Sequence, residues 1–275
     1  MRRSFLSLCA IAVTLVAIAF APAVAPAWVP AGQATVHPGV QTFTAGAQCT
    51  SNFVFSDGST VYLGQAAHCS GTGSQTDTNG CTSGSLPIGT PVEVTGATKP
   101  GTLVYNSWLT MQGRDESDAD TCQYNDLALV QIDPADVGKV NPSVPGFGGP
   151  TGVGGAAAGE TVYSYGNSEL RGGVTKLSPK QGLVVQVEGN GWSRTVYTVT
   201  PGVPGDSGSG FLNSTGQAIG VLSTLQVLPT PGSNGVGDLA KELAYMRGNS
   251  AFSAVQLVPG TQPWSANLVG AIVGA

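Results

Sequence analysis

Gly205-Asp206-Ser207-Gly208, read together with Ala66-Ala67-His68-Cys69 far upstream, limits what this chain can be. A serine hydroxyl is a poor nucleophile at neutral pH unless an imidazole takes its proton and a carboxylate orients that imidazole. The 275 residues contain two histidines, His37 and His68. His37 precedes Pro38-Gly39 in an unpatterned stretch where a surface position is expected, which leaves His68 as the base. A carboxylate lies between His68 and Ser207 in chain order, in Asn125-Asp126-Leu127-Ala128-Leu129-Val130. Burying an aspartate in such an apolar run is costly unless its charge is satisfied, so a working role for Asp126 is favoured. Gly-Asp-Ser-Gly alone is four common residues in a turn; three such segments in order carry far more weight.

Together these segments resemble the catalytic segments of the trypsin/chymotrypsin-like serine proteases, and in style the chain is similar to bacterial, actinobacterial members. The order His, Asp, Ser separates that family from subtilisins and α/β-hydrolases. A serine-elbow esterase is excluded further by Ser209, since the elbow requires glycine at that position. The resemblance covers most of the chain after its leader. It implies an all-β fold of two six-stranded antiparallel β-barrels with a short helix near the C-terminus. It makes Ser207 the nucleophile, His68 the general base and then acid, and Asp126 the residue that orients His68. The N–H groups of Gly205 and Ser207 would form the oxyanion hole. The implied partner is a protein or peptide substrate, with no cofactor or metal.

The resemblance also places a substrate pocket. Its base matches Pro201, followed by Gly202, and the strand facing the substrate matches Ser223-Thr224-Leu225. That segment departs from the family's usual Ser-Trp-Gly, and the bridge that flanks the family's pocket is missing. Between Gly189 and Gly237 the only carboxylate is Asp206 and the only basic residue is Arg194. An uncharged pocket, rejecting Lys and Arg, is therefore expected. No Ile-Val-Gly-Gly occurs, so Asp206 cannot pair with a new N-terminus of the animal kind. Arg171, Lys176 and Arg194 are the alternative partners, with Arg171 preferred.

Residues 1–27 read as a signal peptide. Arg2 and Arg3 precede an apolar run from Leu6 to Phe20, and Ala25-Pro26-Ala27 offers a small-residue cleavage site. The run is shorter than the ~20 residues of a spanning helix. A secreted protein that does not engage membranes after leader removal follows. The net charge of −5 supplies no basic footprint for nucleic acid. Of five cysteines, Cys9 leaves with the leader, so Cys49, Cys69, Cys81 and Cys122 remain, an even number that suits an oxidising compartment. A type I′ hairpin at Asp57-Gly58 would bring Cys49 near Cys69, matching the family's bridge beside its catalytic histidine. Cys81–Cys122 follows by elimination.

Forty glycines and eighteen prolines point to many short strands and few long helices. The expected organisation is an N-terminal arm over 28–40, a first barrel over 41–132 and a connector over 133–158. A second barrel with a helix and tail would then occupy 159–275. Asp238 is placed to cap a helix from Leu239 to Arg247, with Gly248 ending it. Ala254-Val255-Gln256-Leu257-Val258 has no evident place. Asp115, Glu116, Asp118 and Asp120 form an acidic loop more typical of a solvated surface than of a calcium site, and Asn213-Ser214-Thr215 fits a glycosylation pattern. The leading expectation is a monomeric secreted serine endopeptidase. The rival is a catalytically silent binding protein on the same fold, although such relatives usually lose a triad member and none is lost here.

Overall fold

A computed structural model describes residues 27–74, 77–226 and 231–275, so the expected leader lies outside the described residues apart from Ala27. In the first half the strands are β1 (Gln41–Thr44), β2 (Ala47–Thr50), β3 (Val54–Ser56), β4 (Val61–Ala66), β5 (Pro91–Val94), β6 (Gly101–Asn106) and β7 (Leu127–Gln131). The second half holds β8 (Thr161–Tyr165), β9 (Pro179–Glu188), β10 (Ser193–Thr198), β11 (Gly210–Asn213), β12 (Ala218–Leu225), β13 (Asn234–Asp238) and β14 (Gln256–Leu257). Strands β8 to β13 close into a six-stranded antiparallel barrel, in the order β10-β13-β12-β11-β8-β9.

The N-terminal lobe differs in detail from a six-membered ring. It is an eight-stranded antiparallel sheet, ordered β14-β3-β4-β7-β6-β5-β1-β2. The segment that sequence could not place supplies β14, with Gln256 opposite Ser56 and Leu257 opposite Phe55. The C-terminal tail therefore pairs with an edge of the first lobe, which would otherwise expose unpaired backbone groups.

The β3–β4 turn also departs from expectation. Ser56 pairs with Val61, so residues 57–60 form the loop instead of Asp57-Gly58 alone. The Asp57 side chain explains the choice. Its carboxylate accepts from the N–H groups of Ser59 and Thr60, both at 2.8 Å, and from the Tyr62 hydroxyl at 2.8 Å. That local bonding outweighs the two-residue turn.

Four helices complete the described chain: α1 (Ser107–Gly113), α2 (Ala119–Tyr124), α3 (Leu239–Asn249) and α4 (Leu268–Gly274). Asp238 caps α3 by accepting from Lys241 N at 2.8 Å, but the helix runs through Gly248 to Asn249. Asn106 caps α1 through Trp108 N and Leu109 N. Asp118 caps α2 through Thr121 N, a local use of the acidic loop. Within that loop Glu116 accepts from the N–H groups of Ser117 and Asp118, and Asp120 accepts from Asn190. Asn213 is buried and both ends of its amide are bonded within the fold, so its sequence pattern is closed to a glycan.

The arm over 28–40 is sewn into the protein rather than laid on its surface. Val36 and Val40 are buried, Val36 bridges Val140, and Asn141 donates to the Val29 carbonyl. His37 is half-buried there, with Nδ1 2.8 Å from the Pro38 carbonyl oxygen.

One apolar cluster joins the two lobes and α3. Phe53, Phe55, Leu127 and Leu129 pack with Tyr163, Leu212, Val221, Leu239, Leu243 and Met246. Each such side chain contributes roughly 1.5–3 kcal/mol on burial, so the lobes are fixed against each other by a continuous core. No helix among the described residues is long and apolar enough to cross a membrane.

Candidate active site

His68 and Asp126 come from the first lobe and Ser207 from the second, along the line between them. His68 lies on a 3-10 turn, Ala67–Ser70, that follows directly from β4. Asn106 braces this turn, its Nδ2 donating to the Ala67 carbonyl at 3.0 Å. A disulfide between Cys49 and Cys69, with Cα atoms 6.1 Å apart, ties the turn to β2. The second disulfide, Cys81–Cys122, anchors α2 four residues before Asp126.

Asp126 links α2 to β7 and is 3 % exposed. One of its oxygens lies 2.7 Å from His68 Nδ1 and the other accepts the His68 backbone N–H at 2.9 Å. The Ser223 hydroxyl on β12 donates to the same oxygen as the ring, at 2.5 Å. The carboxylate is thus clamped by both lobes, and its burial is compensated as a buried charge requires. Burial pushes the His68 pKa down, but the Asp126 charge and hydrogen bond outweigh it, and the net shift is upward. About a quarter of the His68 side chain, 24 %, remains exposed.

Ser207 arrives from the second lobe. Its carbonyl accepts from Thr50 N at 2.8 Å, and the next N–H, on Gly208, donates to the Leu222 carbonyl at 2.7 Å. Residue 208 must be glycine: its φ is +89°, and a Cβ there would fall 2.6 Å from the Thr50 carbonyl oxygen and 2.8 Å from Ala66 N. That close approach brings Ser207 beside the end of β4, immediately before His68. Among the described residues, Ser207 Oγ and the His68 ring form no hydrogen bond. Gly205 has φ +94°, a left-handed backbone that glycine adopts without strain. Its carbonyl is held by Thr50 Oγ1 and Gln48 Nε2 at 2.8 and 3.0 Å. Neither the Gly205 nor the Ser207 N–H donates to another described residue, so both donors are open.

Asp206 is fully buried and turned away from Ser207. Arg171 Nη2 lies 2.5 Å from one carboxylate oxygen and Lys180 Nζ 3.1 Å from the same oxygen. Ser168 N and Val203 N each donate to the carboxylate at 3.1 Å. Arg171 is the partner the sequence favoured. Lys180 was not foreseen, and nothing in Pro179-Lys180-Gln181 marks a fully buried lysine. Arg194 instead pairs with Asp238 at 2.7 Å.

The expected pocket residues separate into two places. Pro201 and Gly202 are pinned from behind, Pro201 O by Arg171 at 3.0 Å and Gly202 N by Asn234 Oδ1 at 2.8 Å. Ser223 and Thr224 instead line a cleft of about 310 Å3 with Tyr124, Glu188, Gln226 and Gly235. Leu225 is exposed beyond its edge. Glu188, one residue before the Gly189–Gly237 span, is the charged side chain in that lining. Its Oε1 accepts from Thr195 at 3.1 Å.

No family model matches the chain, and no curated protein matches it. Solved structures do. Thermobifida fusca Protease A is 19 % identical, the match covering 82 % of this chain and 99 % of that one, with a TM-score of 0.55. Cellulomonas bogoriensis chymotrypsin is 17 % identical over 81 % of this chain and 98 % of its own, with a TM-score of 0.51. A glutamic acid specific serine protease that uses a histidine triad in substrate binding gives 16 % identity, coverage of 81 % and 100 %, and a TM-score of 0.50. The chain has the chymotrypsin-like double-barrel fold.

Proposed function

We propose that the chain is a secreted serine endopeptidase, cutting peptide bonds through His68, Asp126 and Ser207 and an acyl-enzyme intermediate. One observation carries the reading: Asp126 is buried, yet holds His68 at both Nδ1 and the backbone N–H, beside a glycine-framed serine. A purely structural Asp–His pair has no need of an imidazole partly open to solvent, whereas an imidazole acting as general base must reach its substrate.

In the proposed reaction Ser207 Oγ attacks the scissile carbonyl carbon as His68 Nε2 accepts its proton. Asp126 keeps the proton on Nδ1 and stabilises the imidazolium. The N–H groups of Gly205 and Ser207 hold the oxyanion, each such donor being worth about 10²–10³ in turnover. The tetrahedral intermediate collapses as His68 returns the proton to the leaving amine. A water activated by His68 then frees the acid and restores Ser207.

The fold supports this reading because the solved structures it resembles are named as proteases. The two disulfides support secretion, and the leader over 1–27 is part of the same proposal. The pocket beside Pro201-Gly202 is proposed to take an uncharged side chain, since Asp206 and Arg194 are both committed to buried ion pairs. Only two histidines are present, so a histidine triad for a glutamate substrate cannot be assembled. Labelling by a serine-directed fluorophosphonate, combined with casein digestion, tests the proposal. A protein that is neither labelled nor digests casein would be the silent binder instead.

A further inference from the structure

Glu242 projects from α3 to the back of the Asp126 segment and is 0 % exposed. Its Oε1 accepts the Asp126 backbone N–H at 3.0 Å. Gly237 on β13 makes the room, since a Cβ there would fall 2.6 Å from Oε1 and 3.1 Å from the Tyr124 carbonyl oxygen. The other oxygen, Oε2, has no hydrogen-bond partner among the described residues. An ionised carboxylate offers about four acceptor sites, and among the described residues one donor, the Asp126 N–H, reaches it.

Among the described residues no cation is left for it. The charged groups facing Glu242 are Asp126, before β7, and Asp238, at the end of β13. His68 already pairs with the first and Arg194 with the second. Tyr105 of β6 also faces it, its hydroxyl pushed up chiefly by burial. Burial raises the Glu242 carboxyl well above its ordinary range; the Asp126 N–H opposes the rise, and the Asp126 and Asp238 charges add to it.

We infer that Glu242 is held as a neutral acid and is a positioning residue for Asp126, fixing its peptide without placing a second negative charge behind the His68–Asp126 pair. The division of labour is physical. A carboxylate at this point would stabilise the His68 imidazolium further, delaying the neutral base to higher pH. An apolar residue would leave the Asp126 N–H buried and unpaired. A neutral acid avoids both. The kinetic consequences rest on the triad reading above; the protonation state does not.

Two measurements test it. The infrared difference spectrum of wild type minus E242Q at neutral pH should contain the C=O band of a buried protonated carboxyl. Its absence would overturn the inference whether or not the protein is a protease. On the wild-type background, with Ser207→Ala inactive as the control for the protease reading, E242L should lower kcat by roughly tenfold or more at unchanged KM, through the unpaired N–H. E242Q keeps the acceptor and should restore that turnover with the acid limb of the pH profile unmoved. A downward shift of that limb in E242Q would mean that a negative charge had been removed, and wild-type kcat in E242L would mean that the acceptor is idle. Either result sinks the inference. If E242L does not fold, the E242Q profile and the infrared band decide the matter.

Discussion

Lys180 Nζ lies 3.1 Å from an Asp206 carboxylate oxygen, and neither side chain is exposed to solvent. With Arg171 on the same oxygen, two cations share one anion directly behind the Gly205–Ser207 loop. Burial brings the Lys180 pKa down to about 8, the Asp206 charge opposing and the Arg171 charge reinforcing the fall. Between about pH 8 and 10.5 the unfolded chain therefore binds more protons here than the folded one, and this group's contribution to stability rises with pH. K180M should remove that rise while leaving the Arg171–Asp206 pair and the fold intact. D206N strands both cations and should cost about 3–5 kcal/mol. Denaturant melts of the three proteins across that pH window check this, and a D206N protein as stable as wild type would show that the cluster does not hold the loop.

Removing the proposed nucleophile gives the most direct prediction. Ser207→Ala should abolish fluorophosphonate labelling and reduce kcat by about 10⁴-fold or more, and His68→Ala should be nearly as severe because the groups act as a unit. Thermal melts should remain close to wild type, since the Asp126 clamp keeps Ser223. Wild-type cleavage by a folded Ser207→Ala protein would end the proposed mechanism.

The Asp126 charge and hydrogen bond raise His68 above its ordinary value of 6.5 despite burial. As the proposed base, His68 must be neutral to act, so kcat/KM should rise with pH through an apparent pKa above that value and be fully developed on the alkaline side. Stability runs the opposite way. The favourable imidazolium–Asp126 pairing is present below the unfolded pKa and is lost as pH rises through the folded one. Asp126→Asn should cost activity and flatten that part of the stability profile. An acid limb falling below the ordinary histidine value would contradict the geometry.

The residues that sequence made legible are those whose chemistry is written locally. Glycines that frame Ser207, an aspartate inside an apolar run and an even set of cysteines all announce themselves. Strands β4, β6 and β7 carry apolar runs, Val61-Tyr62-Leu63, Leu103-Val104-Tyr105 and Leu127-Ala128-Leu129-Val130, that mark them in the sequence. What stayed hidden depends on contacts between distant segments. Asn234-Gly235-Val236-Gly237, half of it glycine, carries little strand signal, yet it lies in the barrel strand β13. Its glycines keep space for neighbouring side chains, since a Cβ at Gly235 would press on Thr224 and one at Gly237 on Glu242. Helices α1 and α2, seven and six residues long, are too short to show a 3.6-residue pattern and depend on the Asn106 and Asp118 caps. Lys180 and Glu242 look like surface residues until their partners arrive from elsewhere in the chain.

The Cys81–Cys122 bridge spans 41 residues and holds α2 against the loop from Gly80, whose N–H donates to the Cys122 carbonyl at 2.8 Å. Replacing both cysteines with serine should lower stability by about 2–4 kcal/mol. The effect should appear first as a lower kcat, because α2 leads directly into Asp126. Chemical denaturation with parallel assays checks both, and a variant that loses neither stability nor turnover would show that α2 is placed without the bridge.

Substrate choice is the last prediction. In the Pro201-Gly202 segment the polar groups are spent internally. Arg171 takes the Pro201 carbonyl, Asn234 takes both the N–H and the C=O of Gly202, and a Cβ on Gly202 would meet Leu222 and Asn234. Asp206 is saturated by two cations and two N–H groups, so it cannot also receive a substrate lysine or arginine. Arg194 is held by Asp238 and by the Ala156 carbonyl, so it cannot receive a substrate glutamate. A charged side chain entering there would be desolvated without a partner. Cleavage should therefore follow apolar or small uncharged residues, read out by sequencing the products of a mixed peptide library. The one charged group in the neighbouring cleft is Glu188, which supplies the control. Dominant cutting after Arg or Lys that disappears in E188Q would show that the primary pocket is the Glu188 cleft rather than the Pro201-Gly202 wall.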